Sequence, residues 1–167
     1  MIPISTAVLS GFTFSANWHG FELKLNENVV ATLKHPRLWS SDFVAETSSQ
    51  RWIIQRRGFW GSKGEIMDAA SQHPVAEFKS ALGGKGTLQF ADGQAFHVEA
   101  QGWWHPVWRV ATKTGEPVLD LHTRVKSVVV HEEARVESER LVILILFTLY
   151  RIRQAEEAAA AASAAAS

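Results

Sequence analysis

The sequence predicts a mainly β protein, a closed antiparallel barrel of about 12 strands that encloses a hydrophobic C-terminal α-helix. Three observations predict this fold. The run from Leu141 to Tyr150 is apolar on every side apart from Thr148 and the hydroxyl of Tyr150. The residues before it alternate between apolar and polar in short segments separated by turn residues. Similar segments also recur at a spacing of about 44 residues, as expected of stacked supersecondary units.

The apolar run predicts a buried helix over about residues 137–154. A helix that is apolar all round has no face for solvent, so protein or lipid must surround it. A bilayer crossing needs about 20 apolar residues, twice the length of this run, and Arg140 and Arg151 bracket it. A short membrane anchor is the alternative, but charged flanks are costly at membrane depth. The helix could also pack on the outside of an open β-sandwich, but one of its faces would then have to be polar, and none is. We therefore expect no transmembrane span.

The strands are predicted from period-2 alternation between turn signals. The clearest hairpin is Phe90-Ala-Asp-Gly-Gln-Ala-Phe96, because Asp-Gly supplies the positive φ angles of a tight primed turn. The alternation places one face towards a core and one towards water, as in an antiparallel sheet. The predicted strands lie near residues 12–17, 21–25, 29–34, 42–46, 52–56, 66–69, 75–79, 87–90, 95–100, 107–112, 118–122 and 125–131.

The number of strands predicts the size of the barrel. Eight strands make a barrel that side chains just fill, and sixteen leave an open channel. Eleven strands can enclose a helix, so about 12 should hold a rod roughly 10 Å across, the width of one α-helix. The terminal helix would fill this barrel. Residues 1–154 then form one domain, and the alanine-rich residues 155–167 are a frayed helical extension or disorder.

The repeat supports closure of a single sheet. Residues 51–60 align with residues 95–104 at an offset of 44, and residues 73–79 align with 116–122 at an offset of 43. Residues 28–34 form a weaker third copy. Two or three copies are too few for a solenoid, so we expect the units to close on themselves.

Composition excludes several classes of function. The 17 basic residues balance the 17 acidic ones, so no net field draws the chain to nucleic acid. The absence of cysteine excludes disulfides, thiol catalysis and thiolate metal sites. The first residues lack the basic and apolar regions of a secretory signal. These features predict a cytoplasmic location.

No motif predicts catalysis, a metal or a cofactor. The seven histidines lack metal-ligand spacing with a neighbouring carboxylate. The segment Gly83-Gly-Lys-Gly-Thr87 fails the phosphate-loop pattern, because Gly86 stands where Ser or Thr should follow the lysine. No nucleophile elbow is present. We expect a non-enzymatic protein, with an enzyme that uses an unrecognised surface cleft as the remaining alternative.

The strand order, the terminal helix and several aromatic segments resemble the tubby C-terminal-like superfamily. The segments are Phe21-Glu-Leu-Lys24, Leu38-Trp-Ser-Ser-Asp-Phe43 and Gly58-Phe-Trp-Gly61. The superfamily includes the LURP-one-related proteins and the phospholipid scramblases, and the resemblance covers about residues 10–154. It implies a helix-filled barrel and suggests lipid binding, as an analogy. The lipid-binding residues of tubby domains and the calcium segment of scramblases have no counterpart in this sequence, so the resemblance carries over no site.

A basic and aromatic segment is the first candidate site. Arg51, Arg56, Arg57 and Lys63 surround Trp60, and arginine with tryptophan suits anionic phospholipid headgroups. The alternative is that this segment has no binding role. The arginines would then be solvated side chains on a pair of strands, and the tryptophan would pack on the barrel wall, which is the more common arrangement. Alternation sends Arg51 and Arg57 to one face and Arg56 to the other.

Trp103 and Trp104 form the second candidate, a surface for a ligand or a protein partner. Aromatic residues of β proteins more often belong to the core or cap the barrel end. The leading hypothesis is a tubby-like binding module that docks peripherally on anionic membranes. The alternative is a protein-interaction or scaffold subunit that uses an exposed tryptophan surface.

Overall fold

A closed barrel of twelve antiparallel strands forms the protein, as predicted. The computed structural model describes residues 11–17, 19–35, 42–57, 62–81, 85–102, 104, 106–131 and 135–166. The strands are β1 Phe12–Asn17, β2 Gly20–Leu25, β3 Asn28–Lys34, β4 Phe43–Thr47, β5 Arg51–Arg57, β6 Lys63–Asp68, β7 Pro74–Ser80, β8 Gly86–Phe90, β9 Ala95–Gln101, β10 Val107–Thr112, β11 Pro117–His122 and β12 Ser127–Val130.

Each strand pairs with its neighbour in sequence, and β1 closes the barrel against β12. The closing pairs are Phe12 with Val128 and Thr13 with Ser127. Closure leaves no open sheet edge that could pair with another chain. The strand boundaries agree with the predicted ones to within one residue, except that β6 begins three residues earlier and β12 begins two residues later.

The helix α1 spans Ser138–Ala165 and fills the barrel. Every residue from Leu141 to Ile152 is buried, which confirms the predicted location of the apolar run. The buried hydroxyl of Thr148 donates a hydrogen bond of 2.7 Å to the carbonyl oxygen of Leu144, so the apolar interior leaves this polar group satisfied. The helix continues beyond residue 154, and residues 155–166 are exposed. The alanine-rich segment is thus helical up to Ala165.

Aromatic rings join the helix to the wall. The ring centroid of Phe147 lies 5.0 Å from that of Phe78 on β7, and Tyr150 lies 5.1 Å from Phe43 on β4. Gly64 on β6 makes room for this packing. A Cβ atom at Gly64 would lie 2.2 Å from Cζ of Phe78, so only glycine leaves space for the ring.

The contacts of two arginines show how the helix is oriented in the barrel. Near its start, Arg140 pairs with Asp92 at 2.7 Å and lies over the ring of Phe90, beside the β8–β9 turn. Near the end of its buried part, Arg151 bonds to Ser80 and to the carbonyl oxygen of Lys85, beside the β7–β8 connection. We name these the proximal end and the distal end of the barrel. The odd-numbered strands run towards the distal end.

The predicted repeat corresponds to units of four strands. The pairs β2–β3, β6–β7 and β10–β11 each contain a register shift. The unpaired residues are Val30, Val75 and Val118, which occupy equivalent positions in the three similar segments. A bulge of this kind increases local twist. The barrel is thus built from β1–β4, β5–β8 and β9–β12, each bent at the same place.

No helix in the described part of the chain combines the length and the hydropathy required to cross a membrane.

Candidate binding surface at the distal end

The distal end carries the most exposed hydrophobic side chains of the described residues. Trp104, between β9 and β10, is 88% exposed, and Val125, in the β11–β12 turn, is 68% exposed. Thr123 donates a hydrogen bond of 3.1 Å to the carbonyl oxygen of Pro106, which joins the two loops. Val129, 45% exposed, lies instead on the outer face of β12. Large exposed hydrophobic groups beside one another are typical of an interaction site.

Basic side chains gather at the same end. Acidic residues near them include Asp42, Glu65, Glu99, Glu156 and Glu157. The proximal end carries Asp68, Asp92, Glu116, Glu137 and Glu139 with fewer basic residues, among them Arg51, Lys113 and Arg140. Since the whole chain has a net charge of zero, this distribution makes the distal end the more positive one. The basic residues of the distal end are Lys34, Arg56, Arg57, Lys63, Lys79, Lys85, Arg124, Lys126, Arg151 and Arg153.

Three of these cations lie side by side across adjacent strands. Arg57 is the Cα partner of Lys63, and Lys63 is the partner of Lys79. Like charges directly opposite one another destabilise a sheet. Arg57 forms an ion pair with Glu65, whereas neither lysine has a carboxylate partner among the described residues. The row therefore concentrates positive charge on the outer wall at the distal end.

Arg56 lies at the mouth of the barrel. Its side chain follows the buried Trp52 and Ile54 on the inward face of β5, whereas Arg57 lies on the outward face with Arg51. The alternation predicted from the sequence is therefore confirmed. Arg56 is exposed and makes no ion pair with the described residues.

Arg151 is a buried cation without a carboxylate partner among the described residues. Its Nη1 donates to Ser80 and to Gln154, at 2.5 and 2.9 Å, and its Nε has no hydrogen-bond partner. Burial, and to a smaller extent the positive charge of Arg56, lowers the pKa of the Arg151 guanidinium, against an opposing contribution from Tyr150. Arginine nevertheless stays charged in proteins. The two arginines contribute a positive potential to the mouth of the barrel.

A cavity of about 250 Å³ lies on the outer wall at the distal end. It forms because β8 begins only at Gly86, which pairs with Val98, whereas β9 continues towards the distal end as far as Gln101. The polar side chains of its lining are those of Lys79, Ser80, Lys85, Thr87, His97 and Glu99.

The structure separates the residues of the first candidate site. Arg56, Arg57 and Lys63 lie together at the distal end. Arg51 lies at the proximal end, where it is the Cα partner of Glu46 and its carbonyl oxygen accepts a hydrogen bond from Ala69. Six residues of strand, about 20 Å, separate it from Arg57.

Of the three tryptophans in the predicted sites, Trp104 lies within the described residues. Trp104 is fully described and strongly exposed. Trp60 and Trp103, both part of the predicted sites, lie outside the described residues, as do Trp18 and Trp39.

Sequence reasoning missed several residues of this surface. Val125 was assigned to a strand near 125–131, but it lies in a turn between Arg124 and Lys126. In this turn an apolar residue stands between two cations, and that order is the signal that could have identified it. Lys79, Lys85 and His97 are far apart in sequence, and only the strand register brings them together.

A second charged cluster lies on the outer wall away from this end. Asp120 accepts two hydrogen bonds from Arg109 and one from His131, at 2.8, 3.1 and 3.1 Å. Burial raises the pKa of Asp120, but these hydrogen bonds outweigh it and hold the pKa below its ordinary value. The described residues contain no group of three or more His, Asp or Glu side chains arranged to hold a metal ion.

Comparison with known proteins gives no relative. The chain matches no protein-family model, no curated protein and no solved structure at a significant level. The molecule is thus defined by its architecture, a helix-filled barrel with a basic and partly apolar distal end. Its candidate function depends on the geometry of that end.

Proposed function

We propose that the protein is a non-enzymatic binding module that docks on anionic phospholipid membranes through its distal end. The observation that carries the proposal is the exposure of Trp104 and Val125 at the end where the cations gather. An indole ring favours the depth of the lipid headgroups. Each Lys or Arg near an anionic surface contributes about 1 kcal/mol. The combination gives both hydrophobic and electrostatic attraction.

The arrangement of charges supports an anionic partner in particular. Lys63, Lys79 and the mouth arginines, Arg56 and Arg151, form no ion pair with the described residues, whereas Arg57 pairs with Glu65. Cations held close together repel one another, and a surface of phosphate groups would relieve that repulsion. The resemblance to tubby C-terminal-like proteins agrees with a lipid ligand, as a family-level analogy.

The C-terminal helix determines the orientation of docking. Residues 155–165 continue α1 beyond its buried part by about 16 Å, on the same side as the exposed loops. A flat approach of the distal end would push this helix into the bilayer first. We propose that the barrel axis is inclined, so that one side of the distal end reaches the headgroups beside the helix. The protein would then be cytoplasmic and peripheral to the membrane.

Vesicle co-sedimentation tests the proposal. The full chain is mixed with phosphatidylcholine vesicles, alone or with an added anionic phospholipid, at low and at high salt. We expect binding only when the anionic lipid is present, with a loss at high salt because ions screen exposed charges. Equal failure to bind both kinds of vesicle would refute the proposal.

A protein-interaction or scaffold role is the second candidate, and the 88% exposure of Trp104 favours it. Tryptophan is enriched among the residues that dominate protein interfaces. This role predicts self-association, with a solution mass above the 18.5 kDa of one chain, or a specific co-purifying protein. A strictly monomeric chain that still binds anionic vesicles would favour the membrane role.

A further inference from the structure

The cavity on the outer wall of β7–β9 combines side chains of both charges. Lys79 ends the outward row of β7, and Lys85 precedes β8. Both lysines are exposed, and both line the cavity. Glu99, on β9, lines the same space. The cavity therefore presents two cations and one anion, a set that suits a ligand with two anionic groups and one cationic group.

The anion-binding part of the cavity has further donors. The hydroxyl of Thr87 lies 3.2 Å from Nδ1 of His97, so these two groups share one hydrogen bond. His97 Nε2 is not used in that contact, and both side chains line the cavity. A hydroxyl, an imidazole and two ammonium groups can bond the oxygens of a phosphate and a carboxylate.

Glu99 is suited to a ligand ammonium group. Its Oε1 accepts a hydrogen bond of 2.8 Å from Gln101, which leaves Oε2 outside that contact. The neighbouring cation, Arg109, is the Cα partner of Glu99 but directs its guanidinium to Asp120. Glu99 consequently has no direct ion pair among the described residues. A simple phosphate would be repelled by this carboxylate, whereas an ammonium group would bind it.

We infer that the cavity binds a phosphoserine headgroup, with the phosphate and carboxylate held by Lys79, Lys85, Thr87 and His97 and the ammonium held by Glu99. The cavity volume of about 250 Å³ is below the range of about 300–1,000 Å³ typical of drug-sized ligands, which agrees with a small headgroup. If the ligand is a phospholipid, this inference rests on the proposed membrane docking. A soluble phosphoserine diester has the same chemical groups and could bind the cavity without a membrane.

The test separates headgroup recognition from general attraction. Vesicles that contain phosphatidylserine are compared with vesicles that contain the same fraction of phosphatidylglycerol, which has one negative charge but no ammonium or carboxylate group. Electrostatic docking alone predicts equal binding to both. The cavity predicts binding to phosphatidylserine that is about tenfold tighter, as expected for a charge-assisted hydrogen bond to a charged group.

Variants assign the preference to the cavity. Glu99→Gln should abolish the preference for phosphatidylserine and leave binding to phosphatidylglycerol equal or tighter. Glu77→Gln is the matched control, because Glu77 is an exposed glutamate on the outward face of β7 that does not line this cavity. It should retain the preference. Equal binding of both lipids by the unmodified chain would overturn the headgroup inference and leave the membrane proposal intact.

Titration with soluble headgroup compounds shows whether the cavity binds its ligand without a membrane. The unmodified chain is titrated by NMR with glycerophosphoserine and with glycerophosphoglycerol, and we expect shifts of the Thr87, His97 and Glu99 amides with the first compound. Binding of glycerophosphoserine without binding to any vesicle would support the cavity and refute membrane docking. Equal responses to both compounds, or no response to either, would overturn the inference.

Discussion

Thr123 and Pro106 join two loops of the distal end through a hydrogen bond of 3.1 Å from the threonine hydroxyl to the proline carbonyl oxygen. The first loop presents Val125 and the second presents Trp104. The hydrogen bond thus links the strand topology to the proposed docking surface, because it holds two hydrophobic side chains on one side of the barrel.

Replacement of the exposed tryptophan should weaken membrane binding without loss of stability. Trp104→Ala removes a side chain that is 88% exposed, so the free energy of unfolding should stay within about 0.5 kcal/mol of the parent value. Its insertion among headgroups contributes about 1–2 kcal/mol from buried apolar area. We expect about tenfold weaker binding to anionic vesicles, measured by co-sedimentation or tryptophan fluorescence.

Two valines provide the matched control for this surface. Val125→Ser and Val129→Ser remove similar exposed groups, but only Val125 lies at the distal end. The first should weaken vesicle binding and the second should not. If both variants bind as tightly as the unmodified chain, or if Val129→Ser is the more affected, the distal end is not the docking surface.

Replacement of two cations in the row should stabilise the fold and weaken binding to anionic vesicles. Lys63 and Lys79 are Cα partners with like charges, so the double variant Lys63→Gln, Lys79→Gln removes a repulsion within the sheet. We expect a free energy of unfolding higher by about 0.2–1 kcal/mol, measured by urea denaturation at low salt. Binding to anionic vesicles should weaken by about 1 kcal/mol for each lysine removed.

Lys113→Gln is the control for this prediction, because Lys113 is an exposed lysine in the β10–β11 turn at the proximal end. It should change neither property. A double variant that is less stable than the parent would show that the lysines contribute to the fold through other contacts, and their row would then not indicate an anionic partner.

The architecture could be predicted because each of its causes is local in sequence. Period-2 alternation identifies strands, and the apolar run from Leu141 to Tyr150 lacks a solvent face, so sheet and helix must cover one another. The equivalent bulges at Val30 and Val75 explain why the repeat is visible in the sequence. Each unit needs the same bend at the same position to close the barrel.

The candidate site was less predictable because its residues meet through strand register and strand length. Arg51 was grouped with Arg57 by proximity in sequence, yet a strand of seven residues places them at opposite ends. Arg151 follows the apolar run in the sequence, and the barrel buries this charged residue as well. A sequence displays a charge but not its distance from the nearest partner. The cavity with Lys79 and Glu99 requires three strands in register.

Removal of the exposed end of α1 should strengthen docking. Residues 155–166 are exposed, so a chain that ends at Gln154 should keep the stability of the barrel. The shortened chain lacks Glu156 and Glu157, which pair with Arg153 at 3.8 and 3.2 Å. Loss of two negative charges makes the distal end more positive, so binding to anionic vesicles should rise severalfold.

The full-length double variant Glu156→Gln, Glu157→Gln separates charge from length. It should reproduce most of the increase, because it removes the same charges and retains the helix. Weaker binding of the shortened chain, with unchanged binding of the double variant, would indicate that the helix itself enters the bilayer. The inclined orientation proposed above would then be wrong.

The single tyrosine of the chain should report the integrity of the helix-filled barrel at high pH. Burial raises the pKa of Tyr150 well above its ordinary value of about 10, although the nearby Arg56 and Arg151 oppose the shift. Because the folded pKa is raised, the neutral phenol contributes stability that is fully present below about pH 10. This stability is lost as the pH rises above 10 towards the folded pKa.

Ultraviolet absorbance of tyrosinate measures this directly. In denaturant we expect a midpoint near pH 10. In the native protein tyrosinate should appear only at higher pH, together with loss of the circular dichroism of the fold. Tyr150→Phe keeps the ring that packs on Phe43 and Phe78, so its stability should decline less steeply above pH 10. A native midpoint near pH 10 with retained structure would mean that Tyr150 is open to solvent, and α1 would then not fill the barrel.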